Sequence, residues 1–233
     1  MKNNYFRFKQ FTIEQEGAGM KVTTEACLFG ATVIKGNPLT ILDAGSGTGV
    51  LSLMLAQRFT ESKITAVDID KTAALITQNN FTHSPFFNRL ISLSGDYADL
   101  SESLVFDAIV CNPPFYTSGF LSPNNKRNTA MRDASTFTKV LNLFTNNLNQ
   151  NGQAWILLPP NEHEEFAALA KNKNLFCVHK IHVENITGKL FRIISMFSKT
   201  ETKIIEERLC IYNNDRSYTH EFKNLLKDFY WAF

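Results

Sequence analysis

The sequence predicts an α/β protein: a mostly parallel sheet of seven strands, helices on both faces, and an antiparallel pair of strands near the C-terminus. Three observations carry this. From residue 39 onward, strand-like apolar runs alternate with stripes at helical spacing, the order that builds a parallel sheet covered by helices. The first run leads into glycines at alternate positions, Gly45, Gly47 and Gly49, and then directly into a helical stripe. The last two runs, 175–183 and 190–198, are separated only by the turn-like segment 184–189, which is too short for a crossover helix, so they pair antiparallel.

In chain order, residues 39–43 read as the first strand, and Leu51, Met54 and Leu55 mark the helix after the glycine loop. Residues 63–68 form the second strand, and Asp70 caps a helix over 71–80. The third and fourth strands are 89–95 and 106–111. A stretch rich in Ser, Asn, Thr and Pro, 116–133, reads as a long substrate-facing loop, followed by a helix from about 135 to 149. Asn151-Gly152 turns into the fifth strand, 153–158, which Pro159-Pro160 stops, and Asn161 caps the next helix. In the tail, Phe222, Leu225, Leu226, Phe229 and Tyr230 fall on one helical face, predicting a docking helix over 219–233. The whole reads as one domain: an N-terminal arm and helix over 1–37, a core over 38–200, and a C-terminal strand and docking helix over 201–233.

Composition bounds the function. With 233 residues, 44% hydrophobic and 20% charged, the chain has the make-up of an ordinary soluble globular protein. No apolar run approaches the roughly 20 residues that cross a bilayer, and the start lacks a signal-peptide core, so a cytoplasmic location and no membrane partner are expected. Cys27, Cys111, Cys177 and Cys210 are widely spaced and form no C-x-x-C pair. His179 and His182, three apart on a strand, face opposite ways. No metal site is expected. A net charge of +2 neither requires nor excludes nucleic acid, because a local basic patch suffices to hold it. Nothing in the sequence fixes the oligomeric state, with a monomer favoured.

The alternate glycines let the main chain turn sharply and approach a ligand more closely than any side chain allows. About 20 residues on, Asp68 ends the second strand, where a carboxylate can accept both hydroxyls of an adenosine ribose. That much suits NAD, FAD or S-adenosyl-L-methionine alike. Asp43, at the mouth of the loop, would repel a pyrophosphate but suits the cationic methionine end of S-adenosyl-L-methionine. The strand order also lacks the repeated second half of a dinucleotide-binding dehydrogenase. Asp96, after the third strand, is placed to accept from the cofactor's adenine amine, and is equally suited to a cap or turn. Thr23 and Thr24 can line the methionine side, or simply cap a helix.

The fourth strand ends in Asn112-Pro113-Pro114-Phe115. An amide side chain followed by two residues without backbone N–H presents acceptors beside a flat ring, which suits a planar NH2 group. The Asn112 side-chain oxygen and the Pro113 carbonyl can each accept one N–H of an aromatic amine, freeing its lone pair for attack, while Phe115 stacks on the base. Asn112, Pro113, Pro114 and Phe115 are therefore the candidate catalytic residues, for methylation of an amino nitrogen.

These motifs resemble class I S-adenosyl-L-methionine-dependent methyltransferases with an Asn-Pro-Pro-aromatic motif. A longer likeness runs through Phe6-Arg7-Phe8-Lys9-Gln10-Phe11, 22–26, Asp43 to Gly49, 53–58, 66–70, Asn112 to Tyr116 and the tail, and is similar to the bacterial tRNA1(Val) adenine-37 N6-methyltransferase family. Asp68 stands where many relatives carry Glu, and Phe115 where others carry Tyr. The resemblance implies a Rossmann-like class I methyltransferase fold, a tRNA partner, and an adenine beside the anticodon as acceptor. It also implies basic residues on flanking phosphates, for which Arg7, Lys9, Lys126, Arg127 and Arg132 are the candidates. Relatives with other acceptors leave two alternatives, guanine N2 of ribosomal RNA and glutamine N5 of a protein.

Overall fold

The computed structural model describes the backbone of residues 4–113 and 123–233, and the side chains of 4–113 and 135–233. A hairpin, β1 (Tyr5–Arg7) and β2 (Thr12–Glu14), precedes α1 (Thr24–Thr32). The core then alternates as β3 (Thr40–Ala44), α2 (Val50–Arg58), β4 (Lys63–Asp68), α3 (Lys71–Thr82), β5 (Leu90–Ser94), β6 (Phe106–Cys111), α4 (Pro123–Asn147), β7 (Leu148–Leu158) and α5 (Pro160–Lys171). The chain ends with β8 (Phe176–Ile186), β9 (Leu190–Ser198), β10 (Ile205–Tyr212) and α6 (His220–Leu226).

The main sheet has the order β10-β8-β9-β7-β6-β3-β4-β5. Strands β3 to β9 supply the expected seven, with β9 antiparallel to both β7 and β8, and β10 adds an eighth, parallel to β8 at the edge. From β3 the chain steps outward to β4 and β5, then crosses back to place β6 on the other side of β3. The ends of β3 and β6 therefore form a topological switch point.

Both faces of the sheet are buried, which is why its central strands read as continuous apolar runs. Side chains alternate between two cores. Ile41, Ala108, Val110, Trp155 and Leu157 join Phe29, Leu53, Met54, Phe81 and Phe222 on the α1, α2 and α6 side. Leu42, Ile109, Cys111, Ala154 and Ile156 join Phe137, Phe144 and Phe166 on the α4 and α5 side.

Four local expectations are corrected. Residues 123–133, expected as loop, are the first turns of α4: proline is tolerated at a helix start because its missing N–H would be unpaired there anyway. Asn151-Gly152 does not precede a strand but lies inside β7, where the pairing with β6 shifts between Phe106–Leu148 and Ala108–Gln153. A Cβ at Gly152 would lie 2.7 Å from Leu148 Cδ1, so glycine permits the irregularity. Asn161 is not a cap: Pro159 occupies that position without a side-chain bond, and Pro160 begins α5. The docking helix, capped by the Thr219 hydroxyl, ends at Leu226, and Phe229 and Tyr230 pack from the turn beyond it.

Candidate functional site

The carboxyl ends of β4, β3 and β6 lie side by side, with Ala44 opposite Val67 on one side and Cys111 on the other. Neighbouring strands are roughly 5 Å apart, so Gly45 and Asn112, each one residue past its strand, start as neighbours. Asn112 is half-buried and Pro113 buried, while Pro114 and Phe115 lie outside the described residues.

All three loop glycines are left-handed, with φ of +81° at Gly45, +59° at Gly47 and +77° at Gly49. A Cβ on Gly45 or Gly47 would meet nothing within 4 Å, whereas one on Gly49 would lie 2.9 Å from Phe81 Cε1 and 3.1 Å from Thr77 Cγ2. The first two glycines thus face open space and the third packs α2 against α3. Gly45 N–H donates to Val67 O at 2.8 Å, tying the loop to β4.

Asp43 is wholly buried. Its Oδ2 accepts from the Ser52 hydroxyl at 2.7 Å and the Ser52 N–H at 3.1 Å, and its Oδ1 has no hydrogen-bond partner among the described residues. Burial pushes its carboxyl up to about 6, the nearby Asp68 charge adding to the rise and the two Ser52 bonds opposing it. Asp68 Oδ2 accepts Gly47 N–H at 2.8 Å and Oδ1 accepts Asp70 N–H at 2.9 Å, so the carboxylate both closes the loop and retains lone pairs for a ligand.

Asp96 caps the turn at Ala98 and receives the Lys139 ammonium from α4. Burial opposes its ionisation, but Lys139 and the Ala98 N–H outweigh that and hold its carboxyl below the usual range. The cap reading of Asp96 therefore has a structural basis. Thr23 likewise is the N-cap of α1, its hydroxyl accepting Ala26 N–H at 3.2 Å, with Thr24 the first residue of the helix.

Among the RNA candidates, Arg7 is exposed, with its guanidinium 5.2 Å from the Tyr5 ring centroid. Lys9 is exposed too, but its ammonium donates to Lys227 O and to Phe233 O, fastening the arm to the C-terminal segment. Lys126, Arg127 and Arg132 lie on α4 rather than a loop, and their side chains fall outside the described residues.

Sequence reasoning missed the loop's supports. Asn80 donates to Thr48 O at 2.8 Å and to Glu14 O at 2.9 Å, and accepts Glu14 N–H at 2.8 Å, joining α3, the glycine loop and the hairpin. The Thr77 hydroxyl donates to Gly47 O at 3.0 Å. Ser52 left one available signal, a lone hydroxyl in the otherwise apolar run 50–56. Among the described residues, no group of three or more His, Cys, Asp or Glu could hold a metal, and no helix is long and apolar enough to cross a membrane.

The glycine loop at a switch point, with an acidic residue at each of the two flanking strand ends, defines a methyltransferase of the doubly wound α/β class. A family profile described as methyltransferase small domain matches residues 31–173. The tRNA1(Val) (adenine(37)-N6)-methyltransferase of Pedobacter heparinus is 35% identical over 99% of this chain and 99% of its own. That of Vibrio cholerae is 37% identical over 98% and 95%. In solved structures, a predicted O-methyltransferase from Agrobacterium tumefaciens superposes with a TM-score of 0.70 at 15% identity, covering 87% of this chain and 95% of that one. A TehB-like SAM-dependent methyltransferase from Corynebacterium glutamicum gives 0.51 at 20% identity, covering 78% and 90%. This chain belongs to the tRNA1(Val) (adenine(37)-N6)-methyltransferase family. The relatives do not favour the guanine or glutamine alternatives.

Proposed function

We propose that this protein methylates N6 of adenine 37, next to the anticodon, in tRNA1(Val), with S-adenosyl-L-methionine as methyl donor. One observation carries the reading: Asn112 leaves β6 beside Gly45 leaving β3, so an acceptor amine at Asn112 adjoins a cofactor on the glycine loop. The donor residues fit the cofactor. Open space faces Gly45 and Gly47, and a buried carboxylate oxygen of Asp43 stands without a partner among the described residues.

When bound, the cofactor supplies an electrophilic methyl on a sulfonium. Asp43 orients its cationic methionine end, Asp68 accepts the ribose hydroxyls, and Gly45 and Gly47 keep the main chain close. Thr23 and Thr24 flank the methionine side, and Asp96 takes the adenine amine with the lone pairs left beside Lys139 and Ala98. The Asn112 amide oxygen and Pro113 carbonyl accept the two N–H groups of adenine, localising the nitrogen lone pair, while Pro114 offers no competing N–H and Phe115 has the ring chemistry to stack on the base. No general base has to act first, because the methylated nitrogen is cationic and loses its proton readily to water. Alignment supplies much of the acceleration, with effective molarities of roughly 10^5 to 10^8 M for well-oriented reactants.

Arg7, Lys126, Arg127 and Arg132 hold phosphates of the tRNA. Lys9 retains an ammonium hydrogen for the same task beyond its two carbonyl partners. Residues 1–233 act as a single methyltransferase unit, working as a monomer in the cytoplasm where tRNA is modified.

The test incubates purified protein with unmodified tRNA transcripts and labelled donor, then identifies the methylated nucleoside and its position. N6-methyladenosine at position 37 is expected. Label in another nucleoside or at another position, or no label in tRNA while ribosomal RNA or protein offered in its place is methylated, would overturn the assignment. In parallel, Asn112→Ala is expected to bind the cofactor normally and lose at least a hundredfold in transfer, roughly 3 kcal/mol of transition-state stabilisation.

A further inference from the structure

An open groove of about 830 Å³ runs between the β1–β2 hairpin, the C-terminal half of α3 and the tail. Two aromatic faces stand in it. Trp231 is 70% exposed yet held in place, its indole N–H donating to Phe8 O at 3.1 Å, and Tyr5 is 42% exposed with Arg7 against its ring. Gln10 and His83 also line it, and the cations Arg7 and Lys9 outweigh Glu14 among the groove's described charges.

A large aromatic side chain that uses its one polar atom inward and turns its ring to water contributes little to the core. It is, however, preorganised to stack. Aromatic faces interleaved with cations and amide groups are the pattern that binds a single nucleic-acid strand, with bases on the rings and phosphates on the cations. An amphipathic helix would instead need a largely apolar floor, and most of this groove's lining residues are polar or charged. The groove also adjoins the site: Asn80, one of its lining residues, is bonded to Thr48 in the glycine loop.

We propose that this groove is a second RNA-binding site, in which unpaired nucleotides of the tRNA substrate stack on Trp231 and Tyr5 while Arg7 contacts the intervening phosphate. The inference rests on the reading of the protein as a tRNA methyltransferase. The hairpin and tail would then act as one unit, since Lys9 fastens the arm to the same segment that carries Trp231.

The chain has two tryptophans, and Trp155 is fully buried, so collisional quenching of tryptophan emission by acrylamide reports Trp231 in the unaltered protein. Saturating unmodified tRNA is expected to shield Trp231, cutting the quenching constant at least threefold. Trp231→Ala is expected to raise KM for tRNA about tenfold, a single stacking interaction's worth, with less than twofold change in kcat or in cofactor Kd, and Trp231→Phe to recover most of the loss. Wild-type protein that methylates tRNA while Trp231 stays fully quenchable would overturn the groove and leave the proposed function standing. So would Trp231→Ala with an unchanged KM, or shielding of Trp231 by self-association without RNA. Failure of wild-type protein to methylate any tRNA would instead overturn the function.

Discussion

The Ser52 hydroxyl lies 2.7 Å from Asp43 Oδ2, and with the Ser52 N–H it gives one oxygen of a fully buried carboxylate two donors while the other oxygen has no partner among the described residues. The fold holds this charge at a cost. The folded-state carboxyl, raised to about 6 by burial, stands above its unfolded value, so the protonated form stabilises the fold at low pH and that contribution is lost as pH rises through about 6. At pH 8, Asp43→Asn is therefore expected to stabilise the ligand-free protein by about 1–2 kcal/mol, after allowing for one unpaired amide N–H. Cofactor affinity should fall by at least tenfold in the same variant. Urea denaturation and calorimetric titration check the two halves, and a destabilised Asn variant would show that the charge is already compensated.

A second consequence concerns pH. With Asp43 in its proposed role the cationic donor binds the ionised carboxylate, so cofactor affinity should fall as pH drops through about 6, approaching a tenfold loss per unit below it. Calorimetry between pH 5 and 8 checks this. The Asp43→Asn variant should have a flat profile over the same range.

The elements that carry the site were legible because their signals are local. A strand buried on both faces must be apolar throughout, a loop that passes a ligand must carry glycine, and both patterns occupy neighbouring residues in 39–49 and 106–113. The supports were not legible: Asn80 reaches back to Glu14, and Arg192 to Glu25, and no spacing rule links residues 66 or 167 positions apart. The start of α4 was missed for a different reason. Its first turns have loop-like composition, and the helix is anchored further on by Phe137, Val140, Leu141 and Phe144 in the core. The helix start at Pro160 was misread because Asn161 has capping chemistry, but two prolines fix the backbone one position earlier.

The three glycines of the loop should not respond alike to alanine. At Gly49 left-handed strain of roughly 1–2 kcal/mol adds to an overlap with Phe81 and Thr77 worth roughly 1–3, so Gly49→Ala should destabilise by about 2–5 kcal/mol. Gly45→Ala meets open space and should cost only the strain, about 1–2 kcal/mol, while its methyl group intrudes on the cofactor. Chemical denaturation separates the two, and the binding defect should be larger for Gly45→Ala relative to its loss of stability.

Asn80 satisfies three main-chain groups at once, so Asn80→Ala leaves Thr48 O, Glu14 O and Glu14 N–H short of a partner. We expect a loss of about 2–4 kcal/mol in stability. Because the hairpin and the glycine loop share this residue, hydrogen exchange should quicken at both 5–14 and 45–49. Faster exchange confined to the hairpin would show that Thr77, Asp68 and β4 hold the loop without Asn80.

The last prediction concerns the rim of the site. Arg192 Nε lies 3.0 Å from Glu25 Oε2 and its Nη2 lies 3.5 Å from Oε1, a two-point pair between the start of β9 and the first turn of α1. Ile193 pairs with Leu158 at the end of β7, so Arg192 stands just past the carboxyl edge of the sheet, on the side of Asn112. The pair thus ties the segment carrying Thr23 and Thr24 across the edge proposed above to bring cofactor and acceptor together. Both side chains are mostly buried, with 13% and 21% exposure, so removing one partner leaves a poorly solvated charge and should cost about 2–3 kcal/mol. Glu25→Gln and Arg192→Met should each raise cofactor KM severalfold, and the double variant should be less impaired than the two effects combined, with a coupling of about 1–2 kcal/mol. Additive losses in that cycle would show that each residue acts on its own.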